Sequence, residues 1–299
     1  MRVIYCVIIG FCCLACQQKS DSQLEQLENE IGSLFSSTKG SFAIAFKNLS
    51  DTTDVILINE HADFHAASTM KVPVMIELYR QARQGQFALD DSLTIKNEFA
   101  SIVDGSPYSL DSIEDSERDL YNWIGQKKSI YDLNNDMIIW SSNLATNLLI
   151  ELVDAKATTE TMRGLGAENI QVLRGVEDIK AYEQGLSNSS TANDLMVIFE
   201  SLAQGEACPQ SDCEEMIDIL KDQRFNEIIP ALLPENVEVA HKTGSITALH
   251  HDAGIVYLPD GRHYVLVILS KNLEDVESAT QMMAGVSRLI YDYMITKAN

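Results

Sequence analysis

The chain has 299 residues, 45% of them hydrophobic and 22% charged, enough to build a sizeable packed core. That composition excludes a disordered tail, a collagen and a disulfide miniprotein. Lys and Arg total 22 against 44 Asp and Glu, so the formal net charge is −22, and such a surface repels nucleic-acid backbones and anionic headgroups.

The first segment reads as an address. Val3 to Leu14 is an apolar run behind Arg2. It is shorter than the roughly 20 apolar residues a bilayer span needs and matches the h-region of an export signal. Ala15 precedes Cys16, and the polar stretch Q-Q-K-S-D-S-Q follows. This resembles a bacterial lipobox, which would make Cys16 the lipidated first residue of the mature chain; plain signal cleavage is the alternative. The expected division is a signal peptide over 1–15 and a tether over 16–30. Beyond the leader only Cys208 and Cys213 remain. In an oxidising compartment they could form a local bridge; otherwise they are two unpaired surface thiols.

A helix is expected over Gln23–Ser36, then strands over Ser41–Leu49 and Val55–Asn59 joined by S-D-T-T-D. Ser68–Arg83 carries Met70, Val72, Val74, Met75 and Leu78 at helical spacing and tolerates Pro73 in its first turns. Asn97–Lys128 reads as a long connection with short helices, and its acidic part, Asp111 to Asp119, as a solvated face. Helices are expected over Tyr131–Trp140, Asn143–Val153, Thr191–Ala203 and Cys213–Lys221, with Gln171–Ser190 an ordered loop and Trp123 and Trp140 core anchors. From Val237 three strands follow, the last two joined by P-D-G-R. Val265–Leu269 is continuously apolar, as in a strand covered on both faces, and the closing helix aligns Val276, Ala279, Met283, Val286, Ile290 and Tyr293. The expected fold is α+β. One mainly antiparallel sheet comes from both chain ends (31–66 and 237–299), and an all-helical domain (67–236) is inserted between them.

Three short motifs occur in order: Ser68-Thr69-Met70-Lys71, Ser141-Ser142-Asn143 and Lys242-Thr243-Gly244. S-x-x-K also occurs at Ser36/Lys39, but there it runs into a turn, whereas Ser68 sits where a strong apolar helix begins. Ser68 and Lys71 are three apart, so on a helix they share a face. A lysine amine can activate a serine only if burial or a nearby cation lowers its pKa, and Lys242 could be that cation. The backbone N–H of Ser68, with that of Ser245 on a sheet edge beside Gly244, could hold an oxyanion. Ser141 could relay a proton to a leaving nitrogen, Asn143 could hold a substrate amide, and Thr243 and Ser245 a carboxylate beside Lys242. Ser141-Ser142-Asn143 by itself also fits a turn and helix N-cap.

This motif set resembles that of class A β-lactamases and penicillin-binding proteins. The segment H-K-T-G-S followed by H-H-D-A-G-I-V-Y-L-P-D-G-R looks especially like the closing strands of class A-related serine hydrolases. The resemblance implies helices on both faces of the sheet, a cleft between sheet and helical domain, and an acyl-enzyme on Ser68. It also implies a β-lactam or peptidoglycan-peptide substrate, no cofactor, a cell-envelope location and a monomer touching membrane only through its lipid. The middle motif reads S-S-N where S-D-N is commoner, and the 73 residues from Ser68 to Ser141 suggest an insertion around Ser101–Lys128. Glu177 in R-G-V-E-D-I-K is the candidate deacylating carboxylate, although the Leu-Asn that follows it in the family is absent. The family's carboxylate-binding arginine beyond K-T-G is also missing. His250, His251 and Asp252 occupy that neighbourhood and, with His241, read as strand-edge residues in preference to a metal cluster.

Overall fold

The structure, a computed structural model, describes residues 22–297. The export-signal and Cys16 readings fall outside them. The chain opens with a helix over 22–37 (α1), then strands β1 (Ser41–Asn48) and β2 (Val55–Ile58). Helices α2 (Lys71–Arg83), α3 (Ile130–Ile139), α4 (Asn143–Val153), α5 (Ala155–Gly164), α6 (Ile179–Glu183), α7 (Ala192–Ala203) and α8 (Gln210–Lys221) form the middle. Strands β3 (Glu238–Ile246), β4 (Leu249–Tyr257) and β5 (His263–Lys271) and helix α9 (Val276–Thr296) close it. The five strands form one antiparallel sheet in the order β2-β1-β5-β4-β3, so both chain ends meet where β1 pairs β5 and β3 is left as an edge.

Strand alternation explains the two cores. One face of β1 carries Phe42, Ile44 and Phe46, which pack with Leu266 and Ile268 of β5 against Leu27, Ile31 and Phe35 of α1 and Met283, Val286 and Ile290 of α9. The other face carries Ala43 and Ala45 beside Val265, Val267 and Leu269, under Leu195 and Phe199 of α7 and the apolar residues of α2 and α4. Each large aliphatic side chain buried this way stabilises the fold by roughly 1.5–3 kcal/mol. Helices on both faces and a mainly antiparallel sheet match the expected fold class.

Local differences have physical causes. α1 begins inside the 16–30 segment read as a tether, because Leu27 and Ile31 are buried against the sheet. α5 has no counterpart in the sequence reading: A-K-A-T-T-E-T-M-R-G buries only Thr158, Thr161 and Met162, so no apolar period marks it. Cys208 and Cys213 are unpaired as one reading allowed, but they are buried, not surface thiols, and burial raises both pKa values. Trp123 and Trp140 are 45% and 40% exposed, so neither anchors the core; Trp140 instead lies under the Arg224 guanidinium. Among the described residues no helix is long and apolar enough to cross a membrane.

Gly254 in β4 faces His241 of β3, and a Cβ there would fall 2.5 Å from both the Ala240 carbonyl and the His241 Cβ. Gly254→Ala should therefore destabilise the protein by about 1–3 kcal/mol through overpacking of two paired strands. Gly285 of α9 has open space around its missing Cβ. Gly285→Ala should be neutral or stabilising by up to about 1 kcal/mol, because alanine favours a helix interior. Thermal denaturation of both variants checks the pair.

Candidate active site

Ser68 lies in a 3₁₀ turn, Ala67–Met70, which runs into α2 at Lys71. The helix expected from Ser68 thus starts with one tighter turn. Ala67, just before Ser68, has φ +47°, a left-handed conformation that costs a non-glycine residue about 1–2 kcal/mol. Several bonds hold it there. Ala67 N–H donates to His65 Nδ1 at 3.0 Å, Ala66 N–H to the Asn188 carbonyl at 2.8 Å, and Thr69 to the Ala66 carbonyl. The edge strand β3 presses on this turn at Gly244, where a Cβ would lie 3.1 Å from the Ser68 nitrogen. Only glycine leaves the strand edge this close to the serine's N–H without crowding.

Lys71 and Lys242 are fully buried and meet at Ser141. Lys71 Nζ donates to the Ser141 carbonyl at 2.6 Å, to Ser141 Oγ at 3.2 Å and to Asn143 Oδ1 at 3.1 Å. Lys242 Nζ donates to Ser141 Oγ at 3.0 Å and to the Thr243 carbonyl at 3.1 Å. One hydroxyl therefore accepts from two lysine Nζ groups and keeps its own proton to give. Burial lowers the Lys71 pKa to about 7, against the opposing pull of Asp115 and Glu177. Lys242 is pushed well down, first by burial and then by Lys71. Ser141 itself sits at φ +58°, and Ser142 caps α4 by accepting from Ala145 N–H at 3.2 Å. Ser142 thus bears out the turn and N-cap reading of this segment, while its neighbours Ser141 and Asn143 bond the lysines.

Glu177 enters the same group. Its Oε1 accepts from Asn143 Nδ2 at 2.9 Å and its Oε2 from Asp111 N–H at 3.2 Å. Asn143 thus joins Lys71 to Glu177 through one amide. Glu177 has φ +61° and a raised pKa, set first by burial, with Asp115 and Asp111 adding to it. The Asp111–Asp119 stretch is accordingly not a plain solvated face. Its backbone holds Glu177, and Asp115 is 2% exposed beneath α4.

Two cavities open on Ser68 and Asn143. One of about 400 Å³ continues past Glu177, Arg174 and Tyr182; the other, of about 800 Å³, past Ser141, Thr243, Ser245 and His250. Of the other polar residues around K-T-G, His241 on the edge strand β3 and His251 and Asp252 on β4 are buried. Asp252 binds His241 Nδ1 at 2.8 Å and accepts from Ile229 N–H at 3.0 Å. His251 Nδ1 accepts from Ser270 N–H, so its Nε2–H donates to the His65 carbonyl, and burial lowers its pKa to about 4. No group of three potential metal ligands occurs among the described residues.

A nucleophile-bearing turn, a sheet edge against it, two buried lysines on one hydroxyl and a half-buried carboxylate define a serine acyl-transfer site. The profile of the beta-lactamase enzyme family matches residues 26–294, and the chain belongs to that family. It is 24% identical to a beta-lactamase of Bacteroides uniformis, over 98% of this chain and 100% of that one. It is 22% identical to the extended-spectrum beta-lactamase PER-1 of Pseudomonas aeruginosa, over 93% and 91% of the two chains. Among solved structures, a beta-lactamase from Chitinophaga pinensis superposes with a TM-score of 0.78 at 21% identity, covering 90% of this chain and 99% of the other.

Removing the shared acceptor tests the geometry. Ser141→Ala should leave the fold intact by circular dichroism and slow acylation by roughly 10²–10⁴-fold, the range of a lost proton-transfer group. Stopped-flow rates with a chromogenic cephalosporin check it.

Proposed function

We propose that the protein hydrolyses β-lactam amides as a class A-type serine β-lactamase, with Ser68 as nucleophile. The observation that carries this reading is the Lys71–Asn143–Glu177 connection beside Ser68, which supplies separate bases for the two half-reactions. Neutral Lys71 takes the Ser68 proton as Oγ attacks the lactam carbonyl. The N–H groups of Ser68 and Ser245 receive the oxyanion. As the ring C–N bond breaks, Ser141 gives its proton to the leaving nitrogen and is replenished from Lys71 or Lys242. Glu177 then removes a proton from water, which attacks the acyl ester; the acyl C–Oγ bond breaks and the proton on Glu177 passes to Ser68 Oγ, restoring both groups. Asn143 holds the substrate amide; Thr243, Gly244, Ser245 and Lys242 receive the carboxylate at the sheet edge. The site would lie in the cleft between the sheet domain (31–66, 237–299) and the helical domain (67–236). A monomer exported to the cell envelope, lipidated at Cys16, completes the reading; labelling with a radioactive fatty acid that Cys16→Ser abolishes would support the anchor.

Ser68→Ala should reduce turnover by at least about 10⁴-fold, and Glu177→Gln should trap the acyl-enzyme with deacylation slowed about 10²–10⁴-fold. Intact-protein mass spectrometry of penicillin-treated samples reads both. A Glu177→Gln protein that deacylates as fast as the parent would remove Glu177 from its role. A parent that forms a stable adduct without turnover would point to a penicillin-binding protein, and no adduct at saturating drug to a different substrate or a binding role.

The pH dependence has a definite sign. Lys71 acts as base only when neutral, and its pKa is lowered to about 7. Acylation should therefore rise with pH through about 7 and level off above it. Single-turnover rates between pH 5.5 and 9 check this; a profile flat through neutrality would exclude Lys71 as the titrating base.

A further inference from the structure

We infer that Asp115 is a positioning residue for the catalytic group, holding Asn143 in place and keeping a fixed negative charge near Lys71. The inference rests on the serine-hydrolase reading above and assigns a role to a residue outside its three motifs. The Asp115 carboxylate is 2% exposed. Its oxygens accept from Asn143 N–H at 3.0 Å, from Leu144 N–H at 2.9 Å, from Glu117 N–H at 3.0 Å and from the Tyr121 hydroxyl at 3.0 Å. The first two donors are the opening N–H groups of α4, an 11-residue helix whose first residue is Asn143. A carboxylate there satisfies orphan donors and meets the positive end of the helix dipole. By fixing the Asn143 backbone it fixes the side chain that bonds Lys71 at 3.1 Å and Glu177 at 2.9 Å.

The sequence around the middle motif fits this role. Position 142, where the commoner motif carries aspartate, is Ser142, a neutral side chain that caps α4 with one bond to Ala145 N–H. The negative charge at this helix terminus comes instead from Asp115, in the segment that lengthens the Ser68–Ser141 spacing. Removing it would leave two buried N–H donors without their acceptor and Lys71 with one fewer anion nearby. The charged or titratable groups that face this pair are Glu177 and Lys242 around Lys71, and Tyr121, Asp136 and Glu177 around Asp115.

The test uses the mature chain and a chromogenic cephalosporin. Asp115→Ala is expected to slow acylation about tenfold or more, with most of the loss in the acylation step. Adding Ser142→Asp to that variant returns a carboxylate to the same helix terminus and should recover about fivefold or more. Asp115→Asn preserves the shape, guards against a simple folding failure and should shift the acid limb of the acylation profile to lower pH. A purely structural cap would lower the rate without moving that limb. Acylation by Asp115→Asn within about twofold of the parent, with the limb unmoved, would overturn the inference. Failure of the underlying reading is separable, because it appears in the parent as absence of any adduct. In that case ¹³C-lysine NMR of Ser68→Ala with and without Asp115→Asn still reads the Lys71 titration. A lower midpoint in the Asn variant supports the inference and an unchanged one overturns it.

Discussion

The structure depends on one electrostatic arrangement: two fully buried lysine side chains, Lys71 and Lys242, directed at the single hydroxyl of Ser141. Burying either charge is unfavourable, and placing them together adds repulsion. The fold offsets this with fixed acceptors and nearby anions. Asp115 and Glu177 act on Lys71, and Asp252 on Lys242. The three motifs must therefore arrive from three separate elements, a helix, a turn and a sheet edge. The sheet built from both chain ends brings β3 against the turn before α2. The chain as a whole carries −22. The lysine pair, with both pKa values lowered by burial, sits inside this acidic chain.

Three of the seven non-glycine residues with positive φ among the described residues lie in the same place. Ala67, Ser141 and Glu177 are all non-glycine residues with positive φ, at 47°, 58° and 61°. Each such residue costs on the order of 1–3 kcal/mol and persists only where its surroundings over-determine it. Those surroundings are visible. His65 holds Ala67, the two lysines hold Ser141, and Asn143 with the Asp111 backbone holds Glu177. At these three positions strain and hydrogen bonding coincide.

The sheet and most helices were legible in the sequence because burial imposes a period: alternation in β1, a continuous apolar run in β5, a stripe in α9. α5 was not, because a helix that buries two threonines and one methionine carries no such stripe. Ser68, Lys71 and Lys242 were legible because their chemistry needs specific residue types at short spacing. Glu177 was legible only in part, since its neighbours do not repeat the family pattern. Asp115 was misread as part of a solvated face, and the burial of the His241–Asp252 pair was not foreseen. A charged residue in a polar stretch looks the same in sequence whether it faces water or caps a distant helix.

The departures from the family pattern form one connected change. The family's Leu-Asn after the glutamate and the aspartate of its middle motif are both absent, and the spacing between the first two motifs is long. The 101–128 segment bonds to both neighbourhoods. Its Tyr108 hydroxyl donates to the Val176 carbonyl at 3.3 Å, its Asp111 N–H to Glu177, and its Asp115 accepts from α4. Ser101 and the Ile102 N–H bind Asp178, next to Glu177. A hydrogen bond to a charged group contributes about 1.5–3 kcal/mol, so several of them can hold the glutamate loop without the Leu-Asn pair. The 101–128 segment is therefore part of the wall of the site. Its removal would release the glutamate loop and the start of α4 together, which ties the length of this segment to the integrity of the catalytic group.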